Sequence, residues 1–252
     1  KNNIKSIIID HHEINKPYPK SNVIINPKKK TGYEMYDYLC ATTLTYFFID
    51  KVIQETKSKF KLSDFLIYVL LATVCDVMPL RKFNKILASN VIKSFKLENN
   101  LAFKNIFNQL NLKKKLNIDD LGFLIGPIIN SGGRLGFSNY GTELLTSNNI
   151  NVIEEKTLEL TNLNNKRKKL EKNILNEISF EKIAKENKNI IIYYNKDIHE
   201  GLIGIIASRL KDYFNKPSIV LTKSNKILKA SARSTKNYNI GKIIKTLVDK
   251  NI

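Results

Sequence analysis

Two short runs of β-branched and apolar residues open the chain, Ser6 to Ile9 ended by Asp10 and Asn22 to Asn26 stopped by Pro27. Continuous apolar runs of this kind suit strands buried on both faces of a parallel sheet. Tyr38 to Val52 reads as a helix, and Ser63 is placed as the N-cap of a second, strongly apolar one running to about Val74. Strands alternating with helices predict an α/β fold. In such sheets ligands gather at the carboxyl ends of strands, where Asp10, His11 and His12 fall. From Asn151 to about Ile178 the pattern turns helical and highly charged, opening with Asn151 and Glu154 at capping-box spacing. Leu163, Leu170, Ile174 and Ile178 share one face of this connecting helix, and the basic run Lys166 to Lys169 covers the rest. Asn189 to Tyr194 and Ser218 to Thr222 then read as strands around a helix at Ile203 to Tyr213, with a further helix starting at Ile240. The expected architecture is a parallel-sheet α/β domain over residues 1–148, a long connecting helix over 149–182 and a second, smaller α/β domain over 183–252.

Composition changes this picture in three ways. No run of about 18 uncharged apolar residues occurs, and the longest candidate, Phe65 to Val74, is too short to cross a bilayer. The two cysteines, Cys40 and Cys75, sit in apolar contexts without ligand spacing, which fits a reducing, cytoplasmic setting. The excess of 42 Lys+Arg over 23 Asp+Glu gives +19, which favours a polyanion such as nucleic acid. Lys, Asn and Ile are all abundant while Trp is absent, as an AT-rich coding sequence also gives, so charge alone does not decide. The run Lys166 to Lys169 could touch a DNA backbone, but a solvated face is its commoner meaning. The chain begins at Lys1 rather than Met and enters a strand directly, from which upstream sequence is expected.

Candidate chemistry concentrates in five segments. Only three histidines exist, and two of them, His11 and His12, follow Asp10 directly. A carboxylate and two imidazoles at a strand tip can serve a metal or a phosphate. Asp76 lies in the apolar segment Leu71 to Leu80, where a carboxylate costs free energy unless paired or bound to a cation; a helix-end residue bonded to the following turn is the competing reading. In Gly126 to Gly136, read as a Gly-rich loop, the glycines permit close approach to an anion and Arg134 offers a planar fork of donors, although an ordinary turn has the same look. His199 stands just before a helix whose free N–H groups favour anions. In Lys229 to Ser234, strand alternation puts Ser231 and Arg233 on one face, a phosphate-binding pair or simply an exposed strand face.

In this order, the five segments resemble the DHH phosphoesterase superfamily and, within it, the RecJ-type single-stranded-DNA exonucleases, over nearly the whole chain. Asp10-His11-His12 is similar to the signature motif, and Leu71 to Leu80 to the next, whose Asp is a metal ligand in the family. Pro127 to Leu135 resembles the loop that closes the catalytic domain, and His199 to Arg209 and Ala230 to Ser234 resemble two blocks of the DHH-associated domain. The resemblance implies hydrolysis of single-stranded DNA from its 5′ end to mononucleotides, in DNA repair and recombination, with two divalent cations, Mn2+ or Mg2+. It makes Asp10 and Asp76 metal ligands and puts His11 and His12 on metal or scissile phosphate. Asn130, Arg134, Ser231, Arg233 and Ser234 would hold the 5′ phosphate or nearby backbone, and His199 would orient the phosphate or assist catalysis. It implies single-stranded DNA as partner, a helicase or single-strand-binding protein as protein partner, no membrane, and a monomer.

On the same resemblance, residues 1–148 are the C-terminal portion of the catalytic domain and 183–252 part of the DHH-associated domain. The family's first two motifs, an acidic cluster and a further Asp, have no counterpart in this sequence, so the metal site is expected to be incomplete and the chain inactive alone. Three rivals compete, of which a generic basic nucleic-acid-binding module leaves the histidines unexplained. A DHH-type oligonucleotide or nucleotide phosphatase is disfavoured because Ser231-Ala232-Arg233-Ser234 stands where those enzymes carry a Gly-rich block with a His. A non-catalytic DHH replication scaffold is disfavoured because it has no use for Asp10, His11, His12 and Asp76 together.

Overall fold

A computed structural model describes residues 4–14, 16–29 and 32–250. The chain divides into two compact units, Lys1–Pro127 and Ile128–Ile252.

In the first unit, β1 (Ile7–Ile9) and β2 (Val23–Ile25) pair in parallel, Ile8 opposite Ile24. They are parallel as expected, but they are not buried on both faces: Ile7 is 51% and Val23 47% exposed. Among the described residues the sheet has only these two strands, too few to be covered on all sides. Tyr38, Leu39 and Cys40 are buried ahead of helix α1 (Ala41–Thr56), which therefore starts three residues later than Tyr38 suggested. Helix α2 (Leu66–Cys75) is apolar all round except for Thr73 and sits against α1, α3 (Phe83–Ser94) and a π-helical turn at Leu121–Ile125. Ser63 does not cap α2. It lies inside a 3-10 turn, Leu62–Phe65, that runs straight into the helix with Phe65 already in helical backbone, so no side-chain cap is formed. Helix α4 (Leu101–Gln109) is capped by Asn100, whose side chain accepts from the Phe103 N–H, and a short α5 (Ile118–Asp120) by an Asn117–Asp120 capping box.

Helix α6 (Gly126–Arg134) replaces the expected Gly-rich loop. Two of its three glycines serve packing: a Cβ at Gly126 would lie 2.5 Å from Cys75 Sγ, and one at Gly132 2.6 Å from the Phe137 carbonyl oxygen, whereas one at Gly133 would meet nothing within 4 Å. Pro127 stands directly after the π-helical turn Leu121–Ile125, whose last hydrogen bond runs from the Gly126 N–H to the Leu121 carbonyl, within a continuous helical run over 118–134. In the second unit, α7 (Tyr140–Thr146) packs on the 28-residue α8 (Ile150–Glu177). Helix α8 is capped by Asn149, which accepts from the Asn151 N–H, so the expected Asn151–Glu154 box is displaced. Its buried positions, Ile153, Thr157, Leu160, Asn164 and Glu171, follow helical spacing and are partly polar. Arg167 departs from the solvated face expected for the basic run: it is 12% exposed and paired with Glu171, while Lys166, Lys168 and Lys169 are exposed. After α9 (Phe180–Glu186), β3 (Ile191–Tyr194) runs parallel to β4 (Ser218–Ser224), which pairs antiparallel with β5 (Ile227–Arg233). Helix α10 (Ile203–Phe214) covers β4 and β5, burying Ile203, Ile206 and Leu210 with Ile191 and Val220. The amphipathic α11 (Ile240–Asp249) follows.

Candidate functional site

Each unit carries one group of polar side chains held by its own scaffold. In the first unit the β1–β2 ladder extends one residue beyond the strands, the Asp10 N–H donating to the Ile25 carbonyl at 3.0 Å, and the chain then turns through His11 and His12. Asn26, buried at the end of β2, fixes that turn: its Nδ2 donates to the His12 carbonyl at 3.0 Å and its Oδ1 accepts from the Lys28 N–H at 2.9 Å. His12 Nδ1 lies 2.7 Å from Asp10 Oδ1, and His11 Nε2 lies 3.6 Å from Asp76 Oδ2. The two imidazoles are neighbours, with ring centres 4.6 Å apart. His11 is nearly covered at 13% exposure, whereas His12 is 79% exposed.

Burial pulls the Asp10 carboxyl upward, but the His12 hydrogen bond, the backbone N–H groups of His11 and His12 and the His12 charge outweigh it, leaving it below the usual carboxylate range. Asp76 is the residue on which α2 ends. The Val77 N–H donates to the Val74 carbonyl and the Met78 N–H to the Thr73 carbonyl, a Schellman closure with Val77 in left-handed backbone at φ 53°. The neighbouring Cys75 thiol is pushed up to about 11, by burial first and then by the Asp76 carboxylate, so at neutral pH it stays protonated.

Two carboxylates and two imidazoles are donors suited to a divalent cation such as Mn2+ or Mg2+. They fit one part of a coordination shell: they meet as two pairs, and among the described residues no three such side chains converge on one point.

In the second unit the polar group gathers where α6 ends, α10 begins and β5 runs past. Gly136, at φ +96°, turns the chain after α6. Arg134 Nη1 donates to the Gly201 carbonyl at 3.2 Å, and a Cβ at Gly201 would meet the Arg134 carbonyl oxygen at 2.1 Å, so only glycine allows this approach. His199 Nδ1 accepts from the Gly201 N–H at 3.1 Å, which leaves the ring proton on Nε2 in the neutral form. On β5, Ser231 and Arg233 share a face as the alternation predicted, and both lie against Gly204 in the first turn of α10, where a Cβ would come 2.9 Å from Arg233 Nη2 and 3.2 Å from Ser231 Oγ. Arg233 Nε donates to Ser208 Oγ at 2.9 Å, and Nη1 reaches Ser231 Oγ at 3.5 Å. Desolvation by the protein around it, and then the charges of Arg167 and Arg233, lower the Arg134 guanidinium below its ordinary value, although its side chain reaches solvent. Asn130 is exposed one helical turn before Arg134. Ser234 is engaged elsewhere, its Oγ accepting from the Ile240 N–H at the start of α11.

Asn26, Gly201, Gly204 and Ser208 were given no individual role by the sequence, which put Arg167 on a solvated basic face. The glycines carried a usable signal, since Gly201 falls between His199 and α10 and Gly204 in the first turn of that helix; Asn26 carried none beyond ending an apolar run.

Residues 187–251 match the family model of the DHHA1 domain. Over nearly its whole length the chain is similar to proteins described as single-stranded-DNA-specific exonuclease RecJ. It is 30% identical over 264 residues to the single-stranded-DNA-specific exonuclease RecJ of Haemophilus influenzae, covering 97% of this chain and 45% of that protein. To the protein of the same description from Salmonella typhimurium it is 31% identical, covering 94% of this chain and 44% of the relative. The chain thus spans less than half the length of these relatives. Its fold is that of a RecJ crystal structure from Thermus thermophilus in complex with Mn2+, with a TM-score of 0.84, 20% identity and coverage of 98% of this chain and 36% of that one. No described helix is long and apolar enough to cross a membrane.

Proposed function

We propose that this chain is part of an exonuclease that hydrolyses single-stranded DNA from its 5′ end, releases mononucleotides and serves DNA repair and recombination in the cytoplasm, alongside a helicase or single-strand-binding protein. The observation that carries the reading is the meeting of Asp10 with His12 and His11 with Asp76 where β1 and α2 end. Asp10, His11, His12 and Asp76 would hold the divalent cations, Mn2+ or Mg2+, with which the relatives of known structure are described. When bound, such cations generate a nucleophilic water and neutralise charge on the phosphoryl oxygens. Asp10 stays ionised at neutral pH and fixes the His12 ring through Nδ1, which leaves the exposed Nε2 of His12 for metal or scissile phosphate.

The second unit would grip the terminal phosphate. Arg134 and Arg233 supply forked donors, Ser231 a hydroxyl, and Gly204 lets the first turn of α10 approach the same spot. Asn130 and Ser234 would touch neighbouring backbone, and His199 would donate to the phosphate through its Nε2 proton.

Four donor side chains fill only part of the shell of a hard divalent cation, so this chain alone is expected to bind DNA without turning it over. The test is digestion of a 5′-labelled single-stranded oligonucleotide by the whole protein, with Mn2+, with Mg2+ and in excess chelator. Labelled mononucleotide should appear only with metal, and release that persists in chelator would overturn the metal reading. His12→Ala should abolish turnover and leave oligonucleotide binding within about twofold. In binding assays on this chain, Arg233→Ala should weaken a 5′-phosphorylated oligonucleotide about tenfold or more while sparing a 5′-hydroxyl one. Equal losses on both ends would refute the pocket.

A further inference from the structure

Four guanidiniums, those of Arg134, Arg167, Arg209 and Arg233, belong to one unit of the chain, and a single buried carboxylate stands behind them. Glu171 of α8 is 7% exposed. Its Oε2 accepts from Arg167 Nη1 at 3.0 Å and its Oε1 from Arg209 Nε at 2.8 Å, so each oxygen serves a different arginine. A carboxylate withdrawn from water in this way is kept only where both oxygens are well paired. Arg167 is fixed further by Asn164, whose Oδ1 accepts from its Nε at 3.1 Å, and is itself only 12% exposed.

Two routes lead from Glu171 toward the residues assigned above to the phosphate. Arg209 follows Ser208, the hydroxyl that orients Arg233 through a 2.9 Å hydrogen bond, so the Glu171–Arg209 pair sets the rotation of α10 at the point where Arg233 is aimed. The other route is electrostatic: Arg167 disfavours the charge on Arg134 and Glu171 favours it. Without the carboxylate, Arg167 would add its repulsion to the pocket uncompensated and would lose its anchor.

We propose that Glu171 is a positioning residue for terminal-phosphate recognition, holding Arg167 and the Ser208–Arg209 turn of α10 so that Arg134 and Arg233 converge on one phosphate. The inference rests on the phosphate-pocket reading proposed above, and the two can fail separately. It also makes a prediction opposite to simple electrostatics. Removing a negative charge from a cationic surface should raise affinity for any polyanion, whereas removing a positioning group should lower the preference for a phosphorylated end.

The experiment measures binding of 5′-phosphorylated and 5′-hydroxyl single-stranded oligonucleotides of one sequence to the chain by fluorescence anisotropy, for wild type, Glu171→Gln and Arg233→Ala. Glu171→Gln should cut the phosphate-to-hydroxyl preference about tenfold while hydroxyl-end affinity is unchanged or higher. If Arg233→Ala loses the preference and Glu171→Gln keeps it, the positioning role is wrong and the pocket stands. If wild type shows no preference, the pocket reading fails and takes the inference with it. A fall in both affinities together marks Glu171 as merely structural and overturns the proposal. Should Glu171→Gln fail to fold, Arg209→Gln cuts only the arm to α10 from a side chain that is 58% exposed; a preference lowered severalfold supports the role and an unchanged one refutes it.

Discussion

At the residue scale, the left-handed Val77 beside Asp76 is the least expected feature of the chain. Helices α9 and α10 end on Asn187 and Asn215 in left-handed backbone, a conformation asparagine tolerates. Helix α2 ends instead with a β-branched valine there, 86% exposed and so contributing almost nothing to packing. Left-handed backbone costs a residue with a Cβ about 1–2 kcal/mol, and glycine gives back some of that relief by loosening the unfolded chain. Val77→Gly is therefore expected to stabilise the chain by about 1 kcal/mol, read as a higher denaturation midpoint in urea; an unchanged or lower midpoint would mean the valine is not strained. Strain beside a carboxylate proposed as a metal ligand fits a site whose geometry is held by the surrounding fold. Asp76 stood out as a carboxylate in an apolar run, but it lies at the C-cap of α2 and is 47% exposed, as its helix-end reading had it, with His11 Nε2 3.6 Å away. Val77 was not legible, since a residue's φ depends on where its helix stops.

At the scale of elements, the sequence pattern found β1, β2, β4, α10 and the start of α11 to within a few residues, because each combines an apolar period with a clear stop. It failed where a neighbour decides. Ser63 has the chemistry of a cap, but the 3-10 turn around it already continues into α2. Asn151 lost its place to Asn149, which sits two residues earlier and bonds back to it. The glycines of Gly126–Arg134 looked like a loop because their partners, Cys75 and Phe137, are distant in the chain or past the helix end. The same limit applies to the candidate sites. Asp10, His11, His12, Ser231 and Arg233 show themselves by their own chemistry. Asn26 holds the backbone of His12 and Lys28, Ser208 and Glu171 bond other side chains, and nothing in their local sequence says which. Arg167 was hidden most effectively, inside a run of four basic residues where only the fold distinguishes the one that faces a buried carboxylate.

At the scale of the whole molecule, the proposed binding of DNA would be divided between a net charge of +19 and the Arg134–Ser231–Arg233 group. Diffuse charge attracts any polyanion and releases counterions, so affinity for single strands should fall linearly on a log–log plot against salt, with a slope of about −0.7 for each phosphate contacted. The proposed phosphate site would act differently. Arg134, Ser231 and Arg233 would engage one terminal phosphate, a difference of one contact between a phosphorylated end and a hydroxyl end. Affinity for both oligonucleotides is thus expected to drop steeply with added salt, while the ratio between them changes with a slope of only about −0.7. Titration of both oligonucleotides into the chain across a range of salt concentrations measures the two slopes together. A ratio that collapses as steeply as the affinities would assign end recognition to the general positive field, and Arg233 would then be one basic residue among many. A ratio that survives while overall affinity falls would place recognition in the Gly204–Ser231–Arg233 contact and leave the lysines to bring the strand to it.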